Sequence, residues 1–299
     1  MSDDTFRAGF VAVVGRPNVG KSTLINAIMG SKISIVSRRP QTTRHRILAV
    51  QTTKTHQIIF VDTPGLHRNA GKVMNRMMNK TAVNALLDAD LVVFMCEANR
   101  WTHEDQYALD RLHDIKSPAI AVLNKVDKVH PREEALIAIA EMTERYTFED
   151  VVPMSAKRNE NVDRFLELIP KYLPESELLF PADTITDRSE LFRTAELIRE
   201  KLTRYLRQEV PYGLTVQIER FERDEHGVAI NAIIWVERDS QKGIVVGKGG
   251  SVLKRVGRAA RLEMKAEMGM PVHLEMWVKV KDNWADNEKD LLSLGYDTP

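Results

Sequence analysis

Eight residues, Gly15-Arg16-Pro17-Asn18-Val19-Gly20-Lys21-Ser22, constrain this chain more than any other stretch. They match G-x-x-x-x-G-K-S. They lie between the apolar run Phe10-Val11-Ala12-Val13-Val14 and a helical pattern over 23–29 that Gly30 stops. A glycine-rich turn from a buried strand into a helix N-terminus points backbone N–H groups outward, and the helix adds about half a positive charge there. Such a loop holds phosphate, with Lys21 reaching the outer phosphates and the Ser22 hydroxyl holding Mg²⁺. Strand, loop and helix in this order predict an α/β fold with a mostly parallel sheet and helices on both faces. Ligands of such sheets collect at the carboxyl ends of the strands.

Three further peptides obey that placement. Ala119-Ile120-Ala121-Val122-Leu123 runs into Asn124-Lys125-Val126-Asp127, which resembles the N-K-x-D element of translation-factor-type GTPases. The Asp127 carboxylate can accept from both the N1–H and the 2-amino group of guanine. Adenine lacks that donor pair and would leave the carboxylate unpaired. Ile58-Ile59-Phe60-Val61 ends in Asp62-Thr63-Pro64-Gly65, similar to the D-x-x-G element, whose Asp assists Mg²⁺ and whose Gly N–H contacts the γ-phosphate. Val151-Val152-Pro153-Met154 leads into Ser155-Ala156-Lys157, similar to a short element that packs on guanine. A fifth strand, Leu91-Val92-Val93-Phe94-Met95, carries no motif.

Pro40-Gln41-Thr42-Thr43-Arg44-His45 resembles the first switch of small bacterial GTPases, in which a Thr binds Mg²⁺ only with GTP bound. Thr43, next to the arginine, is favoured over Thr42. Gly65 is followed by Leu66, where Ras-type enzymes carry a glutamine that orients the attacking water. Leucine has no donor or acceptor, so weak intrinsic hydrolysis of ~10⁻⁴ to 10⁻² s⁻¹ is expected. Asn18 is either a turn residue of the loop or, as in relatives with P-N-x-G-K-S loops, helps hold a K⁺ ion that replaces an arginine finger. The candidate catalytic set is Asn18, Lys21, Thr43 and Gly65, and the candidate metal set is Ser22, Thr43 and Asp62. A helix over 72–87 contains Met74, Met77 and Met78, read as packing rather than a partner surface.

Length and charge bound the rest. The 299 residues suffice for two domains, and 43 basic against 42 acidic residues give no global field pointing to nucleic acid. The lone cysteine, Cys96, lies in an apolar strand and fits a reducing cytosol. The polar start Met1 to Thr5 carries no signal segment, and no run approaches the ~18 apolar residues of a membrane span. The βα alternation closes a first domain over 7–174. Residues 175–187, without period and rich in proline ends, read as a linker.

A second domain is expected over 188–299. A helix to about Gln208 carries Leu191, Ala195, Ile198, Leu202 and Tyr205 on one face. Strands follow over 214–219 and 227–237, then a short segment to Val246, Gly247-Lys248-Gly249-Gly250, a helix from Ser251 to Met268, and a strand over 272–280. The order α-β-β-α-α-β matches a type II KH domain, an α+β fold whose G-x-x-G loop clamps single-stranded RNA. Lys242, Lys248, Lys254, Arg255, Arg258, Arg261 and Lys265 face one acid, Glu263, and four of these cations recur at helical spacing. Trp277 sits among alternating apolar residues and is expected in the core. Trp284, in a polar stretch, either stacks on a base or caps the domain.

A guanine-nucleotide domain, a linker and a type II KH domain together resemble the Era family of bacterial ribosome-assembly GTPases, over nearly the whole chain to Tyr296. The resemblance implies GTP and GDP with Mg²⁺ as ligands. It implies the 3′ end of small-subunit ribosomal RNA and the 30S subunit as partners. It implies a cytoplasmic protein with some peripheral attachment to the inner membrane face. A constitutive RNA-binding protein with a structural nucleotide site, and a membrane-associated signalling GTPase using the basic helix on anionic lipid, are the rival readings.

Overall fold

The computed structural model describes residues 5–68, 71–131, 133–206 and 210–296. The end of the second domain, residues 297–299, and the expected helix end near Gln208 lie outside the described residues.

The first layer system is built on β1 (Arg7–Val14), β2 (Ile47–Thr52), β3 (His56–Asp62), β4 (Leu91–Glu97), β5 (Ala119–Asn124) and β6 (Asp150–Pro153). They run in the order β2-β3-β1-β4-β5-β6. All pairings are parallel except the edge hairpin β2/β3. Each parallel strand is a near-continuous apolar run because it is covered on both faces. Helices α1 (Lys21–Met29) and α5 (Val162–Leu168) pack one face, around Leu24, Ile25 and Phe165. Helices α2 (Val73–Leu87), α3 (His103–Asp110) and α4 (Glu134–Arg145) cover the other, around Leu86, Leu109 and Met142. The strand β2 has no motif and was not expected from the sequence.

The second sheet pairs β7 (Leu214–Asp224) antiparallel to β8 (Gly227–Val236), and β8 parallel to β9 (Val272–Val280). One face is covered by α6 (Glu190–Tyr205), α7 (Asp239–Val246) and α8 (Ser251–Met268), and a short α9 (Glu288–Ser293) follows. The expected α-β-β-α-α-β order is therefore present.

Two expectations are corrected, and the connector shows more anchoring than its composition suggests. Leu191 and Tyr205 are exposed (46% and 37%), while α6 carries buried Arg199 and Glu200 that bond the Thr42 carbonyl and the Val36 N–H of the first domain. Trp277 is 43% exposed on the open face of the sheet, since alternation along β9 cannot say which face a neighbour covers. The 175–187 linker is irregular but anchored: Gln57 bonds Leu179 and Phe180, the Leu48 N–H donates to Asp187, and the Val50 N–H donates to the Ile185 carbonyl.

Candidate functional site

The four motif peptides converge at the carboxyl ends of β1, β3, β5 and β6. At the phosphate loop, Lys21 Nζ donates to the carbonyls of Gly15 (3.0 Å) and Arg16 (3.2 Å). Burial, opposed by Asp62, lowers its pKa to about 8. Ser22 Oγ donates to Asp62 Oδ2 at 2.7 Å and lies 2.9 Å from Thr43 Oγ1. Asp62 is fully buried, and its Oδ1 has no hydrogen-bond partner. Burial pushes its carboxyl pKa up, against the pull of Ser22 and Lys21. Two hydroxyls beside a carboxylate with an unpartnered oxygen fit Mg²⁺, a hard cation that takes oxygen ligands.

A cavity of about 80 Å³ opens here between the loop, Thr43 and Gly65. Gly20 is required at its base: φ is +116°, and a Cβ would fall 2.3 Å from Asn124 Nδ2. The Thr63 hydroxyl donates to the Val13 carbonyl, and Pro64 is buried. Leu66 is fully buried in the core beside Ala12 and Val14, so its side chain offers the cavity nothing polar. Asn18, in a left-handed conformation, donates Nδ2 to the Arg38 carbonyl at 3.1 Å.

On the base side, Asn124 Nδ2 donates to the Val19 carbonyl and Oδ1 accepts the Ala156 N–H, tying the N-K-x-D peptide to both the phosphate loop and the S-A-K turn. Ser155 Oγ donates to Asp127 Oδ1 at 2.7 Å, and this bond holds the Asp127 carboxyl below its usual range. The Val126 N–H reaches the Met154 carbonyl, and Lys157 is exposed. Two residues that motif reading missed stand behind this cluster. Glu97 ends β4, and Asp105 is fully buried in the first turn of α3. Asp105 also completes a capping box with Thr102, and T-x-x-D is the signal that marks such a helix start.

The first switch is gripped from the second domain. Arg199 Nη2 donates to the Thr42 carbonyl and pairs with Glu196. Buried Arg44 donates to the carbonyls of Pro211 (2.8 Å) and Leu214 (2.8 Å) and to the Tyr296 hydroxyl (3.1 Å). His45 lies edge-on to Phe192 and against Tyr296, with ring centroids 5.1 and 4.6 Å apart. Lys32 pairs with Glu200 and Glu263, and Lys72 with Glu237. Helix α2, after the second switch, packs Met74 and Met78 on Trp284, Leu291 and Tyr296. The methionines are thus packing residues. Trp284 caps the domain: it is fully buried, and its indole N–H donates to the Gly213 carbonyl at 3.2 Å.

The G-x-x-G turn joins α7 to α8. Gly247 has φ +73°, and a Cβ there would meet Val252 at 2.5 Å. Gly249 and Gly250 also have positive φ. Lys242, Lys248, Lys254, Arg255, Arg258, Arg261 and Lys265 are all exposed. Glu263, the acid among them, is engaged by Lys32 and Lys201. Lys254, Arg258, Arg261 and Lys265 follow the turn along α8 at helical spacing.

Comparison with known proteins finds relatives over nearly the whole chain. A family described as "50S ribosome-binding GTPase" matches residues 10–125, and a KH domain family matches residues 209–285. The GTPase Era of Coxiella burnetii (strain Dugway 5J108-111) is 50% identical over 97% of this chain and 98% of its own length. That of Vibrio parahaemolyticus is 48% identical over 99% of this chain and 93% of its own. Among solved structures, Era in complex with MgGDPNP and nucleotides 1506-1542 of 16S ribosomal RNA superposes with a TM-score of 0.93 at 38% identity, covering 97% of this chain and 99% of that one. A single-residue variant of Aquifex aeolicus Era bound to GDP.AlF4- gives 0.92 at 37% identity, with the same two coverages.

Proposed function

The chain belongs to the Era family of GTPases and is a GTP hydrolase, and from that premise we propose that it is a nucleotide-dependent grip on the 3′ end of small-subunit ribosomal RNA, acting in 30S assembly. Residues 7–174 form the nucleotide unit, 175–187 the connector and 188–299 the RNA unit.

Within the nucleotide unit, Gly15 to Ser22 cradle the phosphates and Asp127 accepts from guanine, held in place by Ser155. Ser22, Thr43 and Asp62 hold Mg²⁺, which when bound neutralises phosphate charge. Lys21 gives up its carbonyl contacts to reach the outer phosphates, and Gly65 donates its N–H to the γ-phosphate. With Leu66 in place of a water-orienting side chain, hydrolysis by the chain alone is slow, and Asn18 helps hold a K⁺ ion that raises it. Cytosolic work beside the ribosome follows. Among the described residues no helix is long and apolar enough to cross a membrane, so peripheral attachment would use surface cations.

One observation carries the switch: Thr43 lies between Thr42 and Arg44, and both neighbours are bonded to the second domain. Thr43 already stands at the Mg²⁺ site, so losing that ligand after hydrolysis would loosen a peptide that the RNA unit holds, and nucleotide state and RNA grip would be coupled in both directions. The test is RNA affinity with GDP and with a non-hydrolysable GTP analogue. Equal affinities would leave two tethered activities and no switch.

A further inference from the structure

Strand β4 carries no motif, yet its last residue stands between the two halves of the nucleotide site. One carboxylate oxygen of Glu97, Oε1, accepts from Lys125 Nζ at 2.6 Å and lies 3.1 Å from Arg16 Nη2. The same Lys125 ammonium donates to the Asn18 carbonyl at 2.7 Å. Arg16 is held from its other side by Asp105, Nε to Oδ2 at 2.9 Å. A ring of contacts therefore runs from Asn18 through Lys125 and Glu97 to Arg16, and closes along the chain through Pro17. It joins the phosphate loop to the base-recognition peptide at a point where Glu97 itself does not line the phosphate cavity.

The side chains are screened from water: 13% exposed for Glu97, 9% for Arg16 and 22% for Lys125. Opposite charges so placed attract more strongly than on the surface. Burial alone would raise the Glu97 pKa, but the bond and charge of Lys125 and the charge of Arg16 outweigh it and hold the carboxyl below its usual range. Without the Glu97 charge, two cations would face each other across the gap.

We propose that Glu97 is a positioning residue that locks the phosphate loop to the guanine-recognition peptide and thereby sets how fast GDP leaves. The inference rests on the nucleotide site assigned above. Both peptides contact different ends of one ligand, so loosening their connection lets either end release first.

The experiment is stopped-flow release of a fluorescent GDP from the full chain with Mg²⁺, for wild type, Glu97→Gln, Arg16→Ala and the double variant. Glu97→Gln keeps the shape and removes the charge. It should release GDP about tenfold faster, or ~1.4 kcal/mol, with the GDP association rate unchanged and the stability of nucleotide-free protein lowered by less than that. The double variant should be no faster than the faster single variant, because the ring is already open. A wild-type release rate in Glu97→Gln, multiplied effects in the double variant, or a rise in release matched by lost nucleotide-free stability would each overturn the proposal. Lys21→Ala checks the site separately: undiminished GDP binding there would reject the site assignment rather than the role of Glu97.

Discussion

His45 makes the contact between the first switch and the second domain sensitive to acid. It is 8% exposed, sandwiched between Phe192 and Tyr296, with Glu196, Arg199, Arg188 and Arg44 around it. Burial disfavours the imidazolium, and the three arginines add to this against Glu196, so its pKa falls from 6.5 to about 4. The unfolded chain then takes up the proton first. The stabilisation is complete above pH ~6.5 and is lost as pH falls toward the folded value. Between pH 7 and pH 5 these two pKa values imply a loss of about 2 kcal/mol from this residue alone. His45→Phe keeps a ring of similar shape and cannot titrate. Urea unfolding followed by tryptophan fluorescence at both pH values should show wild type losing about 2 kcal/mol more than the variant. Equal losses in the two proteins would refute the assignment of the acid response to His45.

Hydrolysis should be faster in K⁺ than in Na⁺ at equal ionic strength, and Asn18→Ala should erase the difference in a phosphate-release assay; equal wild-type rates would dismiss the ion. With about four phosphates neutralised, RNA affinity should fall with salt at a log–log slope of roughly −3. Lys254→Ala or Arg258→Ala should make that slope shallower by ~1 in a filter-binding titration. Trp284→Ala should cost roughly 3–5 kcal/mol in chemical unfolding, as for other large buried aromatics; a change below about 1 kcal/mol would contradict its role as a cap.

The nucleotide site was legible because each of its peptides is local: strand, turn and polar side chains occupy a few consecutive residues. The G-x-x-G turn was legible for the same reason. What sequence patterns left out depends on contacts between distant segments. Helix α6 shows an apolar face in its sequence, but that periodicity carries no sign that Arg199 and Glu200 are buried against the first domain. Arg44 entered the sequence reading only as the neighbour of Thr43, and its ties to carbonyls about 170 residues away have no local signal. Trp277 and Trp284 were told apart only by which element lies over each, and neither alternation nor polarity of neighbours encodes that. Glu97 gave no signal, since a lone acid at a strand end belongs to no motif.

The way residues 179–187 are fastened to the first sheet sets the kind of motion left to the RNA unit. Ile185 and Asp187 are bonded to β2, Arg188 donates to the Arg46 carbonyl, and α6 starts at Glu190, so one residue, Ser189, separates the last anchor from a rigid rod. One residue spans at most ~3.6 Å, so the connector adds almost no reach. A body on so short a leash cannot roam in search of a target. It stays close to the first sheet, so under the proposed switch any response to guanine nucleotide would take the form of reorientation, with the reach of the glycine turn fixed.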